Sequence, residues 1–202
     1  MEYVLDLTID SEGSIYSLSR AYGLYSSTTK ICKWTSSGSL LFCNDSDISY
    51  GTAISMYEAG NELFILQTHS STSYRKIIIL DMSTLEPTGD SIAYGLGMSS
   101  YHYSQDIDVD SDTGDIYVNF RESSGKLRVF YRTNGTYCTD NSCYQEISTG
   151  ARHGSGLIVN NGFVYTNGYY SGLAYYGGLV MCDFTPPEPS DNRYCETILT
   201  DL

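Results

Sequence analysis

Positive charge is scarce in this chain. Its 202 residues hold 11 Lys plus Arg against 24 Asp plus Glu, a formal net charge of -13. Nucleic-acid binders grip phosphates with Lys and Arg, so this balance argues against that class. Anionic lipid surfaces repel such a chain as well. Long apolar runs are also missing. None approaches the roughly 18 residues of a bilayer-spanning helix, so no membrane insertion is expected. The first residues, Met1-Glu2-Tyr3-Val4-Leu5-Asp6, lack a basic region followed by a long apolar stretch, so no signal peptide is expected in them. Charged residues make up only 17% and aromatics reach 13%, the reverse of a disordered composition. No stretch sustains an apolar stripe at helical spacing, so helix content should be close to nil. Gly-x-Ser-x-Gly elbows and phosphate loops are absent, and so is any Ser, His and Asp set in a known catalytic order.

What the chain does have is repetition. Leu5-Asp6-Leu7-Thr8-Ile9 runs through a turn at Gly13 into Ile15-Tyr16-Ser17-Leu18. The same plan returns around Gly60, Gly114 and Gly162. Each time a short alternating run, a turn containing Gly and a second run with an aromatic follow one another. Alternation rich in Val, Ile, Tyr and Phe is the pattern of half-buried strands. The aromatics Tyr16, Phe64, Tyr117 and Tyr165 recur at intervals of 48, 53 and 48 residues. A third apolar run follows in each unit, then a polar turn and a weaker fourth run. The unit is therefore four antiparallel strands in about 50 residues, the signature of a β-propeller blade.

The fold expected is all-β: a β-propeller of four blades with four antiparallel strands each. The blades fall at about residues 3–45, 50–95, 104–149 and 154–202 of a single propeller domain. Two readings stay open: a closed four-bladed domain, or a slice of a larger propeller. The motif Thr8-Ile9-Asp10-Ser11-Glu12-Gly13-Ser14-Ile15-Tyr16, with Val109-Asp110-Ser111-Asp112-Thr113-Gly114-Asp115-Ile116-Tyr117, resembles NHL-repeat and gluconolactonase-like propellers. The second and fourth units keep the Gly but lack the Asp. The resemblance implies the fold class and carries no catalytic residue with it.

Six cysteines pair off by position within the repeats. Cys32 and Cys43 flank the turn between the third and fourth runs of the first blade. Cys182 and Cys195 do so in the fourth, and Cys138 and Cys143 lie in that region of the third. Facing positions of a hairpin satisfy disulfide geometry, and a two-residue turn at Ser37-Gly38 would set Cys32 directly against Cys43. Zinc would need four converging ligands, and no Cys-x2-Cys pair exists. Three local disulfides and an extracellular, secreted or cell-surface location are therefore expected. Asn44-Asp45-Ser46 and Asn134-Gly135-Thr136 are glycosylation sequons, although Asn-Gly is equally a hairpin turn.

Candidates for chemistry are few. Asp106, Asp108 and Asp110 alternate along a strand and should line one face. Calcium would relieve their repulsion, with turn capping as the alternative. No other cofactor is expected. Tyr101, His102, Tyr103, Arg152 and His153 precede inner strands and should gather on one rim, where propellers commonly bind ligands. The leading functional expectation is a non-enzymatic, disulfide-stapled, glycosylated module of an extracellular matrix, surface coat or filament. Its partner would be protein, self-assembly into a polymer included. A calcium-dependent hydrolase or lactonase is the first alternative. The second is a carbohydrate-binding propeller, using tyrosines such as Tyr169, Tyr170, Tyr175 and Tyr176 as stacking platforms.

Overall fold

The computed structural model describes residues 2–21, 29–44, 48, 50–67, 76–93, 103–121, 126–137, 144–148, 156–160, 162–171, 175–183 and 195–199. Apart from a 3-10 turn at Glu58–Gly60, the described elements are strands. Four antiparallel meanders of four strands account for nearly all of them. The first is β1 (Glu2–Ile9), β2 (Ile15–Ala21), β3 (Thr29–Trp34) and β4 (Leu40–Asn44). The second is β5 (Gly51–Tyr57), β6 (Glu62–Gln67), β7 (Lys76–Asp81) and β8 (Pro87–Ala93). The third orders β9 (Tyr103–Val109), β10 (Ile116–Arg121), β11 (Lys126–Phe130) and β14 (Tyr144–Ser148). A short hairpin, β12 (Arg132–Thr133) with β13 (Thr136–Tyr137), interrupts it in sequence. The fourth is β15 (Leu157–Asn160), β16 (Phe163–Ser171), β17 (Tyr175–Asp183) and β18 (Cys195–Leu199). These are the four-stranded blades expected of the β-propeller class.

The chain divides into two compact units. One is Met1–Ser100 with Thr139–Asn141, and the other is Tyr101–Cys138 with Ser142–Leu202. Each holds a pair of sheets stacked face to face. In the first unit Tyr16, Leu18 and Ile31 of one sheet pack on Ile54, Leu63, Ile65, Ile78 and Leu80 of the next. Leu18, Ile31, Leu63, Ile65 and Leu80 are fully buried. Each contributes on the order of 1.5–3 kcal/mol by leaving water. The second unit repeats the plan with Tyr117, Leu127 and Val129 against Leu157, Val164 and Cys182.

Two local features aim the inner strands. In β1 the register shifts between Val4 and Asp6, and in β9 between Ser104 and Asp106, leaving Leu5 and Gln105 as bulged residues. A bulge bends its strand and re-aims the next side chain. Here that side chain is an aspartate both times. Gly51 opens β5 in close contact with the first sheet. A Cβ there would lie 3.0 Å from Ile65 and 3.1 Å from Thr29. The bare backbone instead donates its N–H to Thr29 Oγ1 and accepts from Arg20 Nη2.

Candidate functional site

The aspartates at the inner strands join one sheet to the next. Asp6 sits on β1, and its Oδ2 accepts the N–H of Ile54 on β5 at 2.9 Å. Its Oδ1 accepts the N–H of Leu7 at 2.9 Å. Asp106 on β9 repeats both contacts. Its Oδ2 accepts from Leu157 and its Oδ1 from Ile107, each at 2.9 Å. Two residues on, Asp108 Oδ2 accepts the N–H of Val159 at 2.7 Å. The inner strand of a sheet has one edge without a strand partner, and its outward N–H groups need acceptors. Alternate carboxylates on β9 meet alternate N–H groups on β15, because both strands share the two-residue period.

The third aspartate closes a turn. Asp110 Oδ1 accepts the N–H groups of Asp112 and Thr113, while Oδ2 accepts that of Gly162 at 3.3 Å. Asp110 is only 4% exposed, so it is not a solvated turn residue. Its counterpart Asp10 accepts from the N–H groups of Glu12 and Ser14 and from the Tyr16 hydroxyl. In the first unit the cross-sheet link at this end comes instead from Glu58, which accepts both the N–H and the hydroxyl of Ser11. Burial pushes the Asp6 carboxyl above the usual carboxylate range, although its two backbone hydrogen bonds pull the other way. Burial likewise raises the Tyr16 phenol.

Asn119, Thr166 and Asn167 belong to the same junction in the second unit, and sequence reasoning missed them. Asn119 Oδ1 accepts the N–H of Asp106 at 2.8 Å, and Asn167 Oδ1 accepts that of Gly156 at 2.7 Å. Thr166 donates its hydroxyl to the Gly156 carbonyl at 3.0 Å. Asn119 and Thr166 are each 3% exposed. The usable signal was a polar residue alternating with Val118 and Phe120 in an apolar strand. A second missed cluster surrounds Arg128, whose guanidinium lies 4.1 Å from the Tyr144 ring centre and 5.2 Å from that of Phe120. Its Nε donates to Glu146 at 2.8 Å, and Lys126 reaches the other oxygen at 2.5 Å. Burial raises the Glu146 carboxyl, but these cations outweigh it and hold the group below its ordinary value.

Cys32 and Cys43 are opposed across β3 and β4 and joined by a disulfide. The turn between them differs from the expected two-residue form. Thr35 and Ser39 close a three-residue loop over Ser36, Ser37 and Gly38, with Gly38 at φ +82°. A bulge at Leu41 then restores the pairing of the two cysteines. Cys182 is also disulfide-bonded, and Cys195 stands opposite it in the β17–β18 ladder. Cys138 and Cys143 lie outside the described residues, as do Tyr101, His102, Arg152 and His153. For Tyr103, Cys195 and the tyrosines at 169, 170, 175 and 176 the backbone alone is described. Asn44 donates its side-chain amide to the Leu85 carbonyl at 2.8 Å. Asn134, at φ 52°, and Gly135 form the exposed β12–β13 hairpin turn.

The carboxylates therefore serve as acceptors for backbone N–H groups of the adjoining sheet. Among the described residues, no three His, Cys, Asp or Glu side chains converge as metal ligands would. None of the described helices is long and apolar enough to cross a membrane. Neither family models nor curated proteins match the chain. Solved structures do. The chain is similar to a calcium-binding protein, regucalcin, from Agrobacterium tumefaciens strain C58, with 14% identity and a TM-score of 0.54. That match covers 85% of this chain and 55% of the other. It is also similar to Sqt1 of Saccharomyces cerevisiae, with 13% identity and a TM-score of 0.50, covering 88% of this chain and 43% of that one. The chain thus spans about half the length of the solved proteins it matches. At such identities the likeness is one of fold alone, and the fold is the β-propeller.

Proposed function

We propose that the chain is an extracellular, disulfide-stapled propeller module that works by binding and assembly rather than by catalysis. The observation that carries this reading is the hairpin disulfide between Cys32 and Cys43. Disulfides persist in oxidising compartments and are rare in the cytosol. Cys182 supports it as a third bonded cysteine, placed opposite Cys195. The non-catalytic part draws on the aspartates, which are taken up by backbone N–H groups of the adjoining sheet. Of the two sequons, Asn134 is the better glycan acceptor, because its turn is exposed while the Asn44 amide is held by Leu85.

Non-reducing peptide mapping of secreted protein tests the reading. It should find the neighbour pairs 32–43, 138–143 and 182–195, with sugar on Asn134. Free thiols throughout, in protein recovered with native fold, would refute it. A calcium-dependent hydrolase is the second reading, favoured by the fold likeness to a protein described as calcium-binding. Calorimetric titration with calcium decides it: heat of binding that is lost on Asp108→Asn supports that reading, and no heat removes it.

A further inference from the structure

Asparagine followed by glycine carries chemistry of its own. The glycine nitrogen is placed to attack the asparagine side-chain carbonyl carbon, and no side chain on the glycine obstructs the approach. The chain has three such pairs, Asn134-Gly135, Asn161-Gly162 and Asn167-Gly168. In an unfolded chain they are alike. The fold treats them differently.

Attack requires the peptide plane between the two residues to turn until the glycine nitrogen faces the side chain. Asn167 is exposed, but it lies inside the nine-residue strand β16. Its Oδ1 accepts the Gly156 N–H at 2.7 Å, and its own N–H donates to the Gly156 carbonyl at 3.3 Å. Asn167 and Gly168 are paired with Leu179 and Gly178 of β17, so the ladder resists the rotation. Asn161 lies outside the described residues, but the Gly162 N–H that would attack it is donated to Asp110 Oδ2 at 3.3 Å.

Asn134 and Gly135 are held in neither way. They form the two-residue turn between Thr133 and Thr136, at φ 52° and 79°. Both are exposed, and a Cβ on Gly135 would meet nothing within 4 Å. Among the described residues, no hydrogen bond holds the Asn134 amide or the Gly135 N–H. The β12–β13 hairpin has only two residue pairs. It is anchored at its base, within its own compact unit. There the Arg132 N–H donates to Asp115 Oδ1 at 2.7 Å, and the Tyr137 hydroxyl donates to the Gly114 carbonyl at 2.8 Å. A ribbon this short opens locally at little cost in free energy.

We propose that Asn134 is a site of spontaneous covalent modification, at which the Gly135 nitrogen attacks Asn134 Cγ and closes a succinimide ring. The Cγ–Nδ2 bond breaks, and the Gly135 amide proton leaves with Nδ2 as ammonia. Water then opens the ring at either carbonyl. Opening at Cγ leaves aspartate, and opening at the backbone carbonyl leaves isoaspartate, whose main chain runs through Cβ and is one methylene longer. Either product adds a negative charge to a chain already at -13. Isoaspartate also breaks the two-residue turn, so the contacts of Arg132 and Tyr137 at the hairpin base should loosen. A sugar on Nδ2 would block the departure of ammonia, but the chemistry of the bare amide does not rest on the reading above.

The test is to age the folded, oxidised protein, made in a bacterial periplasm without N-linked sugar, at mildly alkaline pH. Peptide mapping and enzymatic methylation of isoaspartate then follow each Asn-Gly pair. Asn134 should convert at least about tenfold faster than Asn167, because only the turn opens without breaking a sheet. In urea the two should convert at comparable rates. Gly135→Ala should slow conversion at Asn134 at least about tenfold by crowding the attacking nitrogen. That comparison is repeated in urea, where strain at a positive φ no longer matters. Hydrogen exchange at the Arg132 N–H should quicken in the aged protein. Asn134 left intact in folded protein, while the chain in urea converts, overturns the proposal. So does Asn167 converting as fast as Asn134 in the folded state.

Discussion

Asp6 and Asp106 do the same work in two places, each following a bulged residue and each bridging its own strand to the next sheet. Removing the carboxylate in Asp106→Ala strands the N–H groups of Leu157 and Ile107. It should cost about 1–3 kcal/mol in urea unfolding. Asp108→Ala should cost a similar amount, and the pair more than either alone. An unchanged midpoint would mean that water replaces these acceptors without loss. Glu146 gives a pH signature. Its folded pKa lies below the unfolded value, so its contribution is present above the unfolded pKa and fades as pH falls through the folded one. Asp6 runs the opposite way: its raised folded pKa means that stability falls as pH rises through that value. Glu146→Gln should therefore be less stable than the parent at neutral pH, by up to about 1 kcal/mol, because the solvent-facing carboxylate that pairs with Lys126 and Arg128 is lost. That difference should shrink in acid. A gap independent of pH would show that packing, not charge, carries Glu146. The row of aspartates was legible in the sequence. Their partners were not, because those N–H groups lie about 50 residues away and belong to backbone.

Hairpins are the unit at the next scale. The Cys32–Cys43 staple closes a separation of 11 residues. Replacing both cysteines by Ser should lower stability by about 2–3 kcal/mol, chiefly by freeing the unfolded chain. Equal stability would place the benefit elsewhere, in resistance to proteolysis or in secretion. Gly51→Ala should cost about 1–3 kcal/mol, since the new methyl would crowd Ile65 of its own sheet and Thr29 of the adjoining one. Cysteine spacing and strand alternation were enough to place the hairpin. They could not show its loop length, because a bulge at Leu41 restores the same pairing that a shorter turn would have made.

At the scale of the whole chain, the net charge of -13 opposes compaction and opposes contact between copies. Raising salt from about 0.01 M to about 0.15 M shortens the screening length from about 30 Å to about 8 Å. The Tm should rise over that range. A falling Tm would mean that surface ion pairs outweigh the repulsion. Each unit has its own buried cluster, so the stacked pair of sheets is the smallest piece that covers apolar faces.

By itself the sequence determined the blade: a two-residue alternation, a glycine turn and an aromatic recurring at near-constant spacing leave little besides a four-stranded meander. It also put Cys32 and Cys43 on facing strands of one hairpin, where they are joined. Only the tertiary structure decided what the acidic stripe is for. The edge of an inner strand becomes an array of unpaired N–H groups only once a second sheet is set against it. Only then do the aspartates of β9 have donors within reach. Likewise Ile54 is buried only because the first sheet of its own unit lies over it, a contact between residues far apart in sequence.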